Sequence, residues 1–303
     1  MFIRCESLGK WYGQVIALND LDFRSDVPIL GLLGPNGAGK TSLLKLMAGL
    51  LRPSRGEVFV FGQRPWNNPN LLASLGFCPD GHALPGALSA RQWIATLLRL
   101  SGHGFSEART MAERALELLG IAGLSDRPLG SLSRGQRQRV KLAQAIAHRP
   151  RWLLLDEPFS GMDPPSRSAA MELVRQMAEG GCRIVISSHV LYELEAVTSD
   201  ILLLHRGRLL AQGQVEQIRA LLDEHPLKVM LESPDARALA ARLIERGCVQ
   251  GVRVMDGRIV AETDRPDEFY DMVGRMAGQG EFEVTAMVTL DDNLAAVFEY
   301  LVE

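Results

Sequence analysis

Gly34, Gly39, Lys40 and Thr41 stand at the fixed positions of the pattern Gly-x-x-x-x-Gly-Lys-Ser/Thr, within Gly34-Pro35-Asn36-Gly37-Ala38-Gly39-Lys40-Thr41-Ser42. That spacing is phosphate chemistry. The glycines let the backbone bend until consecutive N–H groups converge on a polyphosphate, so the whole loop from Gly34 through Asn36, Gly37, Ala38 and Gly39 to Ser42 is expected to cradle a nucleotide. Lys40 brings a point charge to the β- and γ-phosphates, and the Thr41 hydroxyl can hold Mg²⁺. Apolar residues 29–33 precede the loop as a buried strand, and leucines follow at helical spacing over residues 43–51. The phosphates are therefore expected on a helix N-terminus, where the dipole favours anions.

Trp152-Leu153-Leu154-Leu155-Asp156-Glu157 is an apolar strand that delivers two carboxylates at its end. In phosphoryl transfer such an Asp holds the Mg²⁺ that bridges the phosphates, and the next carboxylate, Glu157, is placed to orient the attacking water and take its proton. A third cluster, Leu132-Ser133-Arg134-Gly135-Gln136, precedes an amphipathic stretch running to Ala147. It reads as a helix N-terminus capped by Ser133, with Gly135 allowing a phosphate to approach closely.

Several elements must position these groups. Alternating residues (Phe2, Arg4, Ser7; then Leu21, Asp22, Phe23, Arg24) suggest antiparallel strands ahead of the loop, and residues 57–62 another strand. From about 89 to 120 the pattern is helical, broken by Gly102-His103-Gly104. Strand and helix then alternate: strand 152–155, helix 167–178, strand 183–187, helix 191–196 and strand 201–205. Such alternation predicts a mostly parallel sheet flanked by helices. The last part changes rhythm, with strand 227–232, helix 235–246, strands 252–255 and 258–261 around Asp256-Gly257, helix 267–276, strand 281–288 and helix 292–301. That order, βαββαβα, is similar to a ferredoxin-like module, with an irregular helical tail as the alternative. The expected domains are 1–222, with a helical insert over about 86–145, and 227–303, divided near residues 223–226.

Composition narrows the function classes. The chain has 303 residues, 47% apolar and 23% charged, with a formal charge of −3. Apolar runs are far shorter than the roughly 20 residues of a membrane span, and Met1 to Glu6 lacks the pattern of a signal peptide. The four cysteines (Cys5, Cys78, Cys182 and Cys248) are scattered and read as reduced structural thiols of a cytoplasmic protein. Arg134, Arg137 and Arg139 are interleaved with glutamine rather than aromatics in a net acidic chain, so no nucleic-acid partner is expected.

The phosphate loop, the Ser133–Gln136 signature and the carboxylate strand, in that order, resemble an ABC transporter ATP-binding subunit from Ile3 to about Gln214. The resemblance implies an α/β P-loop ATPase domain that binds ATP and Mg²⁺. It assigns Tyr12, in Lys10-Trp11-Tyr12-Gly13, to stacking on adenine. Asp163 would lie in a loop that crosses to a second subunit, and His189 would sense the γ-phosphate. Two such subunits stack head to tail in that family, so Ser133, Gly135 and Gln136 of one copy would complete the site built on Lys40 of the other. Two departures stand out. Asp80 occupies a position where many members carry Gln and is expected as a further residue of the Mg²⁺ shell, and Arg134 stands where glycine is frequent.

The extra carboxyl-terminal module, with Thr289-Leu290-Asp291-Asp292-Asn293-Leu294-Ala295-Ala296-Val297-Phe298, is similar to ATPases of ABC-2-type exporters. This implies a chain peripheral on the inner face of the membrane through a separate integral permease. A soluble ABC-type ATPase and a nucleotide-gated scaffold are the competing readings. The single ATPase domain, and an insert without heptads or paired cysteines, separate this chain from the tandem translation factors and the chromosome and repair proteins.

Overall fold

The computed structural model describes residues 1–81, 84–216, 227–255 and 257–289. The chain divides into two units, Met1–Val215 and Glu216–Glu303. The expected boundary at residues 223–226 and the expected helix at 292–301 lie outside the described residues.

In the first unit Ile3–Tyr12 (β1) and Val15–Ser25 (β2) pair antiparallel. Ile29–Leu33 (β3) then runs into the phosphate loop and helix Lys40–Met47 (α1), after which Arg55–Val60 (β4) pairs on the other edge of β1. A single turn, Pro69–Leu72 (α2), leads to Leu75–Cys78 (β5). The helical insert follows: Ala90–Leu100 (α3), Phe105–Leu118 (α4) and Arg134–Ile146 (α5). Ser89 caps α3 reciprocally with Gln92, and Gly102, with φ +98°, lies in the break before α4.

Trp152–Asp156 (β6), Pro164–Glu179 (α6), Arg183–Ser188 (β7), Leu191–Glu195 (α7), Asp200–His205 (β8) and Arg208–Gln214 (β9) complete the unit. The large sheet has the order β5-β6-β7-β3-β8-β9, parallel except for β9. Its central strands are largely continuous apolar runs because both faces are covered. Leu30, Leu32, Leu154, Val185 and Leu202 share one core with Phe2, Leu21, Leu43 and Met47. Each fully buried leucine contributes roughly 1.5–3 kcal/mol of hydrophobic stabilisation. The register sets Asp156 opposite Ser187 and Leu33 opposite Ser188, so the carboxylate strand and the phosphate loop emerge on either side of β7. The carboxyl ends of parallel strands are where open α/β sheets bind ligands.

Strand β9 has no counterpart in the sequence reading. It is a half-exposed edge strand whose polar residues Arg208, Gln212 and Gln214 dilute the apolar signal. A two-residue turn joins it to β8, with Arg206 at φ 45° and Gly207 at φ 76°.

The second unit comprises Leu227–Glu232 (β10), Ala236–Glu245 (α8), Gly251–Met255 (β11), Arg258–Thr263 (β12), Pro266–Gly278 (α9) and Ala286–Thr289 (β13). Its antiparallel sheet has the order β11-β12-β10-β13, which is the ferredoxin-like arrangement of a βαββαβ chain. Val229, Leu231, Leu239, Leu243, Ile259, Phe269 and Val273 form its core. The last strand begins at Ala286, not at 281 as the alternation predicted. Phe282 and Val284 do pack toward the core, but Glu281 is drawn to Arg242 at 2.9 Å, and pairing with β10 starts only where Glu232 meets Ala286.

Candidate nucleotide site

The phosphate loop is shaped by what surrounds it. A Cβ on Gly34 would lie 2.3 Å from the Leu204 carbonyl oxygen of neighbouring β8, so no other residue fits there. Gly39 adopts φ 105° as the residue before α1 and offers no side-chain cap, leaving the first N–H groups of the helix to an external acceptor. No acidic residue occupies that first turn. An anion is the natural complement.

Lys40 is 5% exposed, and its Nζ donates to the carbonyl oxygens of Gly34 at 2.5 Å and Pro35 at 3.3 Å. The same ammonium lies 3.3 Å from Glu157 Oε1. Beside it the Thr41 hydroxyl donates to Asp156 Oδ2 at 2.7 Å, while Ser187 Oγ donates to Oδ1 at 2.7 Å. Asp156 is completely buried, and these two bonds satisfy its two oxygens. Thr41 and Asp156 thus bring hard oxygen donors into contact at the helix N-terminus. That chemistry suits Mg²⁺, which takes few protein ligands and completes its shell with phosphate and water.

Glu157 ends the strand in the left-handed region, at φ 48°, a strained conformation for a residue with a Cβ. Further contacts hold it there. Its N–H donates to Ser187 Oγ at 3.1 Å, its carbonyl accepts from Gln138 Nε2 at 3.3 Å, and its Oε2 lies 2.9 Å from His189 Nδ1. A carboxylate only accepts, so Nδ1 is protonated and donates in this contact. His189 is itself exposed. Tyr12 is also exposed, at the end of β1, with its hydroxyl 3.5 Å from Ser42 Oγ and Lys10 Nζ 5.3 Å from the ring centre. An aromatic face beside the loop is a stacking surface for a base.

A second group gathers at the start of α5. Ser133 Oγ accepts from the Gln136 N–H, and the Gln136 side chain accepts in return from the Ser133 N–H, a capping box. A Cβ on Gly135 would lie 2.5 Å from the Gly161 carbonyl oxygen, so the chain's own backbone requires glycine at 135 whatever approaches from outside. Arg134 Nη2 donates to Ser160 Oγ at 3.0 Å, tying the same two segments together. Asp163 caps α6, and the Ser166 amide, then the Ser166 hydroxyl, hold its carboxyl below the usual range. Gly135→Ala should therefore push α5 away from residues 160–162 and cost about 1–3 kcal/mol as overpacking. Thermal unfolding and ATPase rate both register this, and an alanine variant matching the parent in both would contradict so close an approach.

The structure unites Lys40, Thr41, Asp156, Glu157 and His189. It gathers Ser133, Gly135 and Gln136 at the start of α5, where Gly135 and Arg134 meet the segment ahead of Asp163. Asp80 behaves differently. It is exposed and lines a groove of about 500 Å³ with Arg134, Arg137 and Lys141. Among the described residues no hydrogen bond or ion pair joins it to Thr41 or Asp156. Ser187 and Gln138 were missed as site residues. The only sequence signal for Ser187 is a polar residue at the end of an otherwise apolar strand. All four cysteines are buried and free, with burial raising the Cys78 and Cys182 thiols to about 12, which suits inert thiols.

Fold and site together define a P-loop nucleoside triphosphatase. The ABC transporter family profile matches residues 19–160. The daunorubicin/doxorubicin resistance ATP-binding protein DrrA of Streptomyces peucetius is 30% identical over 246 residues, covering 80% of this chain and 74% of that protein. The daunorubicin resistance ATP-binding protein DrrA3 of Streptomyces coeruleorubidus is 30% identical over 298 residues, 96% of this chain and 93% of that one. Among solved structures, an ATP-binding subunit of an ABC transporter superposes with a TM-score of 0.65 at 26% identity, over 73% of this chain and 93% of the other. The chain belongs to the ABC transporter family as an ATP-binding subunit, and ATP hydrolysis is the activity of that family. Such domains bind ATP, dimerise and partner with membrane permeases.

Proposed function

We propose that this chain hydrolyses ATP to drive export through a separate ABC-2-type integral membrane permease, acting as a head-to-tail pair of identical copies. The observation that carries this reading is the division of the motif residues into two clusters. Lys40, Thr41, Asp156, Glu157 and His189 are joined by direct contacts, whereas Ser133 and Gln136 cap each other at the start of α5 and Gly135, between them, meets the segment ahead of Asp163. A second copy supplying its signature cluster would complete the site.

In that site the loop N–H groups and Lys40 bind the phosphates, Tyr12 stacks on adenine, and Thr41 with Asp156 holds Mg²⁺. The metal, when bound, neutralises charge on the β- and γ-phosphates. Glu157 orients the attacking water and accepts its proton as the bond to the γ-phosphorus forms and the β–γ bridge breaks. His189, anchored through Nδ1, leaves Nε2 for the phosphate side, where it donates when the ring is protonated at both nitrogens. Among the described residues no helix is long and apolar enough to cross a membrane. Similarity to the two resistance proteins along most of both chains supports the direction, export.

Affinity purification of the tagged chain from detergent-solubilised cells of its own source is the experiment. One polytopic membrane protein should be recovered in near-stoichiometric amount. Recovery only with ribosomal or DNA-processing complexes would overturn the transport reading.

A further inference from the structure

Behind His189 lies a polar network that the chemistry above does not use. Ser188 is fully buried, and its hydroxyl donates to Glu193 Oε2 at 2.7 Å while accepting from the Val190 N–H at 3.0 Å. Both contacts bracket residue 189. Glu193 is only 7% exposed, an unusual place for a carboxylate, and its Oε1 faces Arg167 Nη1 at 3.7 Å. Arg167, in the first turns of α6, also donates through Nη2 to the Met162 carbonyl oxygen at 3.3 Å and through Nη1 to the Tyr192 hydroxyl. One guanidinium thus holds the loop ahead of Asp163 and the helix that follows His189. Its planar fork spans both in one fixed geometry, which a compact ammonium matches less well.

We propose that Arg167 and Glu193 are positioning residues for ATP hydrolysis, bracing the turn that carries His189 against residues 160–163. The Glu193–Ser188–Val190 contacts fix the backbone on both sides of the histidine, and Arg167 ties that backbone to the segment touched by Gly135 and Arg134. Displacement of residues 160–163 is then felt at the imidazole, which connects the signature cluster to the catalytic one within a single chain. This rests on the reading of His189 given above.

Steady-state turnover of the purified full chain with Mg²⁺ and ATP tests it. Glu193→Gln keeps an acceptor for Ser188 but loses the charge facing Arg167, and kcat should fall roughly tenfold with KM within about twofold, as expected for lost positioning rather than lost binding. Arg167→Met should do the same, and Arg167→Lys should recover part of the rate. A lysine variant no better than methionine would contradict a charge-dependent brace. The decisive measurement is a double-mutant cycle with His189→Ala. If the brace acts through the histidine, Glu193→Gln has no further effect on kcat in the His189→Ala background. If it cuts kcat by the same factor there, the brace is wrong while the histidine's role stands. A rate unchanged by His189→Ala alone instead overturns the reading of the histidine, and the brace with it.

Discussion

Glu157→Gln should reduce ATP turnover about 100- to 10,000-fold, the range contributed by a positioned general base, while leaving ATP affinity within a few-fold. Geometry separates the two effects. The amide has the size of the carboxylate, and its oxygen can still accept from His189 Nδ1, now 2.9 Å from Oε2. Lys40 loses the Oε1 contact at 3.3 Å but keeps the Gly34 and Pro35 carbonyls, so the phosphate cradle persists. What disappears is the capacity to take a proton from water. Binding that closes a pair of subunits without the hydrolysis that reopens it should trap the ATP-bound dimer. Light scattering with Mg²⁺ and ATP should then show a dimer for the variant. Monomers under those conditions would refute the composite site, and undiminished turnover would remove Glu157 from its role as base.

Much of this arrangement was written locally in the chain. Residues 29–33 and 152–155 are uninterrupted apolar runs because parallel strands are buried on both faces, and their ends announce the chemistry through a glycine turn or a carboxylate pair. The fold of the second unit was equally visible, since βαββαβ with a two-residue hairpin leaves few ways to pair four strands. Contacts made across long sequence distances left little trace. Ser187 reaches Asp156 from 31 residues away, and Gln138 reaches the Glu157 carbonyl from 19, each as a single polar residue without spacing to mark it. Gly135 was legible as a glycine, but its structural cause was not, because the carbonyl that excludes a side chain belongs to Gly161, which lies beyond the carboxylate strand. Asp80 could be placed by its neighbours in sequence, yet its surroundings of Arg134, Arg137 and Lys141 come from another helix. Edge strand β9 and the late start of β13 failed for one reason: alternation shows what a face could bury, and the partner strand decides where pairing begins.

Lys40→Ala should weaken ATP binding itself, by about ten- to a hundredfold, because charge-assisted hydrogen bonds to phosphate contribute about 1.5–3 kcal/mol. The side chain is 5% exposed and surrounded by carbonyl oxygens and the Glu157 carboxylate, so it is held in place before it meets a ligand and loses little freedom on binding. Removing it does two things at once. The phosphates lose their cation, and Glu157 Oε1 is left buried beside them with no ammonium, turning an attractive site into one that repels an anion. Lys40→Arg separates charge from fit. The guanidinium keeps the charge but is larger and planar, and cannot reproduce the single-point contacts to the Gly34 and Pro35 carbonyls, so affinity should again fall. Combining Lys40→Ala with Glu157→Gln removes the repulsion and should restore part of the lost affinity, a coupling that independent sites do not show. Calorimetric titration of ATP into these variants and into Glu157→Gln alone measures it. Unchanged affinity in Lys40→Ala would detach Lys40 from the phosphates, and strict additivity in the double variant would mean that Glu157 and Lys40 do not act on the same bound anion.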